Sequence, residues 1–475
     1  MKIRKFIKKN KDDLIFLFFI ICSCLGMMIF TRSDSDHFWH LTAGKYMLKN
    51  HTILTHDIFS WFVNGKYWMS HEWLSEITLG IFNGIFGKYH IIVFCFLFLV
   101  SLMLLIYFAN KEKIHSNKVF TLIWFSMILL LSSFMTARPH MISNLLLGLT
   151  IYFLMDFYNN PKSKKIYFLP FITILWANFH GGSSNLPYIF SLLFFIISFM
   201  DCDFTKIESK EKTVKQRLVF LLMFIVCMLC VNINPHGFKM FVYPYINMGN
   251  SLMIGTISEW RNTSLNDNSH LMYYIFIFFI LMIFILSKKK IRFLDLMLFL
   301  ISIYLGLKSI RFWSYTYIIM SFVVFYYIGA RKDDKFTELI FLGLSLFYLA
   351  LFVLCFSRIV TNINKHRLNK ETINKIEEIK PERLFNLYGD GGELIYSNIK
   401  VFIDGRADLY SDYNYKDYID ISVCQGDYEK LISKYNFDYY LVSDTQQIFI
   451  YLKKNSHYKE VYKGKDGYYI YKYVK

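Results

Sequence analysis

Long apolar runs recur along this chain, separated by short charged connectors; IIVFCFLFLVSLMLLIYF at residues 91–108 is representative. Such a run approaches the roughly 20 residues that a helix needs to cross a hydrocarbon core of about 30 Å. Backbone groups in lipid must be paired within the protein, which leaves helices or closed barrels. Barrel strands alternate apolar and polar residues over about ten positions, and these runs do not alternate. The 475 residues, 55% of them apolar, therefore read as an α-helical integral membrane protein. Runs near 14–30, 90–109, 119–136, 141–157, 166–179, 186–200, 218–234, 271–287, 293–309, 312–329 and 338–357 predict about eleven transmembrane helices.

The net charge of +17 could suit nucleic acid, but the Lys and Arg residues fall in short clusters between apolar runs, where retention of positive loops on the cytoplasmic side explains them. We therefore expect no nucleic-acid partner. The N-terminus and the connectors 111–118, 159–165, 201–217, 287–292 and 331–335 form the basic, cytoplasmic set. The opposite set comprises the first outer loop 31–89, ARPH (137–140), HGGSSN (180–185), residues 232–262 and KSIRFW (308–313). An odd number of spans carries residues 358–475 outside as well. Composition changes there: a polar helix over 362–380, short strands in RLFNLY, KVFIDGRADLY and FDYYLVSD, and a terminal hairpin turning at KDG predict a small extracytoplasmic α/β domain. The expected division is thus 1–357 for the membrane domain and 358–475 for the outer domain. The basic N-terminus and first apolar run resemble a signal peptide without a small-residue cleavage site, and read as an uncleaved span. The eight cysteines show neither metal spacing nor a disulfide framework.

The first outer loop opens with DSDHFWHLTAGKYML, residues 34–48. On a helix, Asp36 and His40 share a face one turn apart, and a carboxylate at a membrane mouth can take a hydroxyl proton once burial tunes it. Asp34 suits an N-cap and is the second candidate. HEWL (71–74) begins an amphipathic helix, where His71 and Glu72 serve either as helix-start residues or in substrate binding. Asp36, His40, His71 and Glu72 follow no recognised ligand spacing, so a divalent metal stays an option without an assigned site. Arg138 and His140 in ARPH and Arg311 in SIRFW close apolar runs; guanidinium groups there can snorkel to headgroups of membrane lipids or clamp a phosphate bidentately. His180, before two glycines, and His236, in NPHG, sit in turns and are reserve candidates for binding, as is Glu259 in ISEWRN. GDGG (389–392) reads as a helix start, and Asp404, Arg406 and Asp408 in DGRAD are close enough to pair locally.

Taken in order, D-x-F-W-H-L-x-x-G, H-E-W-L, A-R-P-H, W-A-N-x-H-G-G, N-P-x-G, E-W and F-I-D-G-R-A-D-L-Y resemble a bacterial family of multi-span membrane proteins related to the C-type (GT-C) glycosyltransferases. The resemblance runs from about Asp34 to Tyr410. It implies an eleven-span or similar bundle in the cytoplasmic membrane, a catalytic acid in the first outer loop, matched best by Asp36, and a polyprenyl-phosphate-linked sugar as donor. The expected activity is inverting transfer of that sugar to a glycan, lipid or protein acceptor outside the membrane, with Arg138 and Arg311 on the phosphate. A transporter or flippase of lipid-linked glycans would place ionisable residues near the midplane of the spans; a non-catalytic membrane scaffold is the third reading.

Overall fold

A computed structural model of the chain describes residues 10–248, 257–331, 335–411 and 413–474. Parts of the expected N-terminal, 232–262 and 331–335 connectors lie outside the described residues. The chain divides into two compact units. The larger comprises Met1–Thr31, Ile91–Met135 and Pro139–Thr361, and the smaller Arg32–His90, Thr136–Arg138 and Asn362–Lys475. The first outer loop, placed by sequence within residues 1–357, is grouped here with the C-terminal residues.

The larger unit is helical. Among the described residues, five helical segments are long and apolar enough to cross a membrane: Lys11–Phe30, Trp73–Ser116, which begins in the smaller unit, Pro139–Asn159, Asn268–Leu286 and Phe336–Ile363. This falls short of the eleven expected, because several apolar runs form shorter helices, including Leu169–Phe179, Leu186–Ile197 and Trp313–Ser321. The run expected at 119–136 is α-helical only over Lys118–Ser126 and continues as a 3-10 helix, Met127–Phe134. A 3-10 helix rises about 2.0 Å per residue, so apolar length in sequence does not convert into α-helical length. Near one end of the bundle Lys118, almost fully buried, reaches Asp12 at 3.0 Å and Glu338 at 3.5 Å. Asp13 takes the Lys111 ammonium at 2.8 Å and the Tyr107 hydroxyl at 2.6 Å. These ties join the helices that begin at Lys11 and Lys335 to the hairpin around residue 116.

The smaller unit packs helix Ser35–Asn50 against helix Trp73–Phe86. They cross so closely at Gly44 that a Cβ there would lie 1.8 Å from the Glu76 carbonyl oxygen. The C-terminal residues add a four-stranded sheet. Leu384–Phe385 pairs parallel with Tyr439–Ser443, which pairs antiparallel with Tyr468–Tyr473, itself hairpinned to Tyr458–Lys463. The sheet and the KDG hairpin match expectation. The polar helix is shorter than expected, Lys370–Ile379. KVFIDGRADLY forms no strand: Val401 makes an isolated bridge to Ser60, and Ala407–Tyr410 is a helical turn. The reason is local, because Arg406 folds back onto Asp404 through Nε at 2.8 Å and Nη2 at 2.6 Å.

Candidate functional site

Asp34 is the N-cap of helix Ser35–Asn50, its carboxylate accepting the His37 backbone N–H at 2.9 Å. Burial opposes its ionisation, but Arg138 and that N–H outweigh burial and hold its carboxyl below the usual range. Asp36, in the first turn, accepts from Arg138 Nη2 at 2.6 Å and from the Trp39 indole N–H at 3.4 Å. Arg138 also reaches Asp34, at 3.7 Å. The guanidinium expected to bind phosphate is therefore engaged by the two first-loop acids. Gly405 closes over the group: a Cβ there would meet Asp36 Oδ1 at 1.8 Å and Trp39 Nε1 at 2.9 Å. DGRAD thus packs directly on Asp36, with Asp404 and Arg406 behind it in a buried cluster. Arg406 pairs with Asp57 at 2.7 Å and Asp404 at 2.6 Å, and Tyr410 donates to Asp404 at 2.5 Å.

His40 is buried, its ring tilted against Trp39 with centroids 3.6 Å apart, and lies between Glu72 at 3.5 Å and Glu76 at 3.4 Å. Glu72 reaches His71 at 3.4 Å, and His71 faces Asp408 at 3.7 Å. Burial disfavours the His71 cation, but Glu72, Asp408 and Glu76 overcome this and raise its pKa. Glu76 was not singled out from sequence; the signal was its i, i+4 spacing from Glu72 on one helical face. Also missed was His37, whose Nε2 lies 3.0 Å from His90 Nε2. His90 Nδ1 meets the Gly87 carbonyl at 2.8 Å and His37 Nδ1 meets the Ala137 carbonyl at 3.3 Å. Burial and the neighbouring imidazole push His37 down to about 3. Among the described residues no three His, Cys, Asp or Glu side chains converge to hold a metal ion.

The larger unit joins two other candidates. Arg311 donates to His180 Nε2 at 2.6 Å. A guanidinium only donates, so Nε2 accepts and Nδ1 carries the proton, which it gives to Ser143 Oγ at 2.6 Å. The Trp176 indole N–H donates to the same oxygen at 2.9 Å, and Arg311 lies 5.6 Å from the centre of the Trp260 ring. His180 is thereby held as a neutral imidazole that orients Arg311. The His140 ring nitrogen meets the Phe134 carbonyl at 2.8 Å; the His236 backbone N–H donates to the Asn234 side chain at 2.7 Å; Glu259 lies in a 3-10 turn whose carbonyl accepts from Ser309 at 2.9 Å.

The fold combines several helices long and apolar enough to cross a membrane with a small mixed α/β region. No family model and no curated protein sequence matches the chain. Among solved structures, the apo oligosaccharyltransferase of Archaeoglobus fulgidus superposes with a TM-score of 0.55 at 11% identity, covering 90% of this chain and 69% of that one. AglB from Archaeoglobus fulgidus, in complex with an inhibitory peptide and a dolichol-phosphate, gives 0.56 at 11% identity, covering 98% and 75%. At such identity the likeness is one of fold.

Proposed function

We propose that this chain is a membrane glycosyltransferase that moves a sugar, with inversion, from a polyprenyl-phosphate donor to an acceptor outside a bacterial cytoplasmic membrane. The observation that carries this reading is the fold shared along 98% of the chain with an oligosaccharyltransferase solved with dolichol-phosphate and a peptide. The peptide in that complex makes a protein acceptor the first to test here, beside a glycan or a lipid. The N-terminus is cytoplasmic in this reading, and residues 358–475 lie outside and grip the acceptor.

Asp36 orients the acceptor hydroxyl for attack on the anomeric carbon. Arg138, already paired with Asp36 and Asp34, fixes the direction of that carboxylate. Arg311, held by neutral His180, binds the phosphate through charge-assisted hydrogen bonds. A phosphate leaves as an anion, so the departing group needs no strong general acid. The test is direct: purified protein is incubated with polyprenyl-phosphate-linked sugars and candidate acceptors, and release of the lipid phosphate is followed. No release from any such donor would sink the reading.

A further inference from the structure

In the smaller unit five side chains follow one another in space as acid, imidazole, acid, imidazole, acid. Asp408 Oδ2 lies 3.7 Å from His71 Nδ1, and His71 Nε2 lies 3.4 Å from Glu72 Oε1. Glu72 Oε2 is 3.5 Å from His40 Nε2, and His40 Nδ1 is 3.4 Å from Glu76 Oε1. Exposure falls along the series: Asp408 and His71 are each 15% exposed, whereas His40 and Glu76 are each 1% exposed. At the inner end His40 Nδ1 and Glu76 Oε1 are buried without a hydrogen bond, and they lie 3.4 Å from each other. Glu76 Oε2 accepts from the Ser70 hydroxyl at 3.0 Å.

A carboxylate this buried is not left ionised without a compensating cation. Glu76 is met by His40 and Ser70 and acts also on His71; a proton placed between Glu76 and His40 supplies that compensation and reaches Glu72 through the other ring nitrogen of His40. Further titratable groups around this region include Asp34 and His37 on the helix of His40, with Arg138 and His90 acting on them, and Asp404 and Arg406 in the segment that carries Asp408.

We infer that Asp408, His71, Glu72, His40 and Glu76 form one proton-exchange chain that takes up the proton released by the acceptor, with the Asp408–His71 pair as its entry and the His40–Glu76 pair as its store. The inference rests on the glycosyltransferase reading and assigns within it the group that removes the proton. The acceptor O–H bond breaks, and its electron pair forms the bond to the anomeric carbon. The bond from that carbon to the phosphate oxygen breaks with its pair going to the phosphate, and the proton passes to the Asp408–His71 pair. Asp36 suits this step poorly, because a carboxylate paired with a guanidinium is a weak base. His71, with carboxylates at both ring nitrogens, exchanges protons nearer neutrality.

The full chain in lipid nanodiscs, with a polyprenyl-phosphate-linked sugar, tests this. Glu76→Gln keeps shape and lies far from solvent; we expect it to lower kcat about a hundredfold and to move the kcat–pH profile by about one unit, with the acceptor KM unchanged. His40→Gln should do the same. An unaltered profile in both variants overturns the chain. Histidine titration by ¹⁵N NMR needs no substrate: the His71 midpoint should move in both Glu76→Gln and His40→Gln. An unmoved His71 midpoint in both variants overturns the chain even where transfer is observed. A moved midpoint in a protein that transfers no sugar overturns the glycosyltransferase reading instead and leaves the chain of contacts standing.

Discussion

Arg138 donates to Asp36 at 2.6 Å, joining a residue of the first loop to one that follows it by 102 positions. A carboxylate fixed in this way has a defined direction, which positioning a nucleophile requires. Asp36→Asn removes the charge and keeps the shape. It should abolish release of lipid phosphate, with a loss of at least about a hundredfold, while protein abundance in the membrane stays unchanged. Activity within a few-fold of the parent would remove Asp36 from the reaction.

Gly405 allows the DGRAD segment to lie against that carboxylate. In Gly405→Ala the new methyl group would sit 1.8 Å from Asp36 Oδ1, so the carboxylate or the segment must shift. Transfer should fall about tenfold or more, since small misplacements of positioned groups are costly, with helicity by circular dichroism retained. Full activity would show that Asp36 does not need its present direction.

Arg311 is oriented by His180 at 2.6 Å. Lysine supplies a point charge where arginine supplies a planar fork. Arg311→Lys should therefore raise the KM for the lipid-phosphate donor severalfold and leave the acceptor KM alone; an equal effect on both counts against phosphate binding.

Arg406 is buried between Asp57 and Asp404. Burial opposes ionisation of Asp57, but Arg406 and Ser60 hold its carboxyl low. Arg406→Met would leave both acids without their cation, at a cost of about 3–5 kcal/mol. Limited proteolysis should show residues 51–70 and 399–410 opening in the variant at neutral pH. Protection equal to the parent would contradict a stabilising role for the cluster.

Asp390 is buried against Tyr468 and Arg367, and burial pushes its pKa up to about 6. Its folded value therefore exceeds the unfolded one. The native state binds the extra proton between about pH 4 and pH 6, so this group favours folding most below about pH 4 and loses that contribution as pH rises through 6. Asp390→Asn should make hydrogen-exchange protection around residues 384–396 greater at pH 8 and flatten its dependence between pH 4 and pH 7. An unchanged pH slope would refute the assignment.

The apolar runs of 91–108, 271–286 and 339–357 are uncharged and do not alternate, so membrane-crossing helices follow from sequence alone. Asp34 was legible as a cap because Ser-Asp-Ser-Asp before an amphipathic run leaves few other roles, and the KDG hairpin was legible from its turn residues. The length of several helices was not. Whether residues 127–134 wind as an α-helix or a 3-10 helix depends on packing, which composition does not encode.

For the site, sequence determined which residue types stand where: acids and imidazoles in 34–40 and 71–76, and guanidinium groups at 138, 311 and 406. Tertiary structure decided their partners. Helical spacing puts Asp36 and His40 one turn apart, yet Asp36 meets Arg138 whereas His40 turns to Glu72 and Glu76. A turn of 3.6 residues rotates positions four apart by about 40°, enough for each to be claimed by a different neighbouring segment. Ion pairs between distant segments are set by which segments pack together, and in this chain the close approaches at Gly44 and Gly405 set that packing.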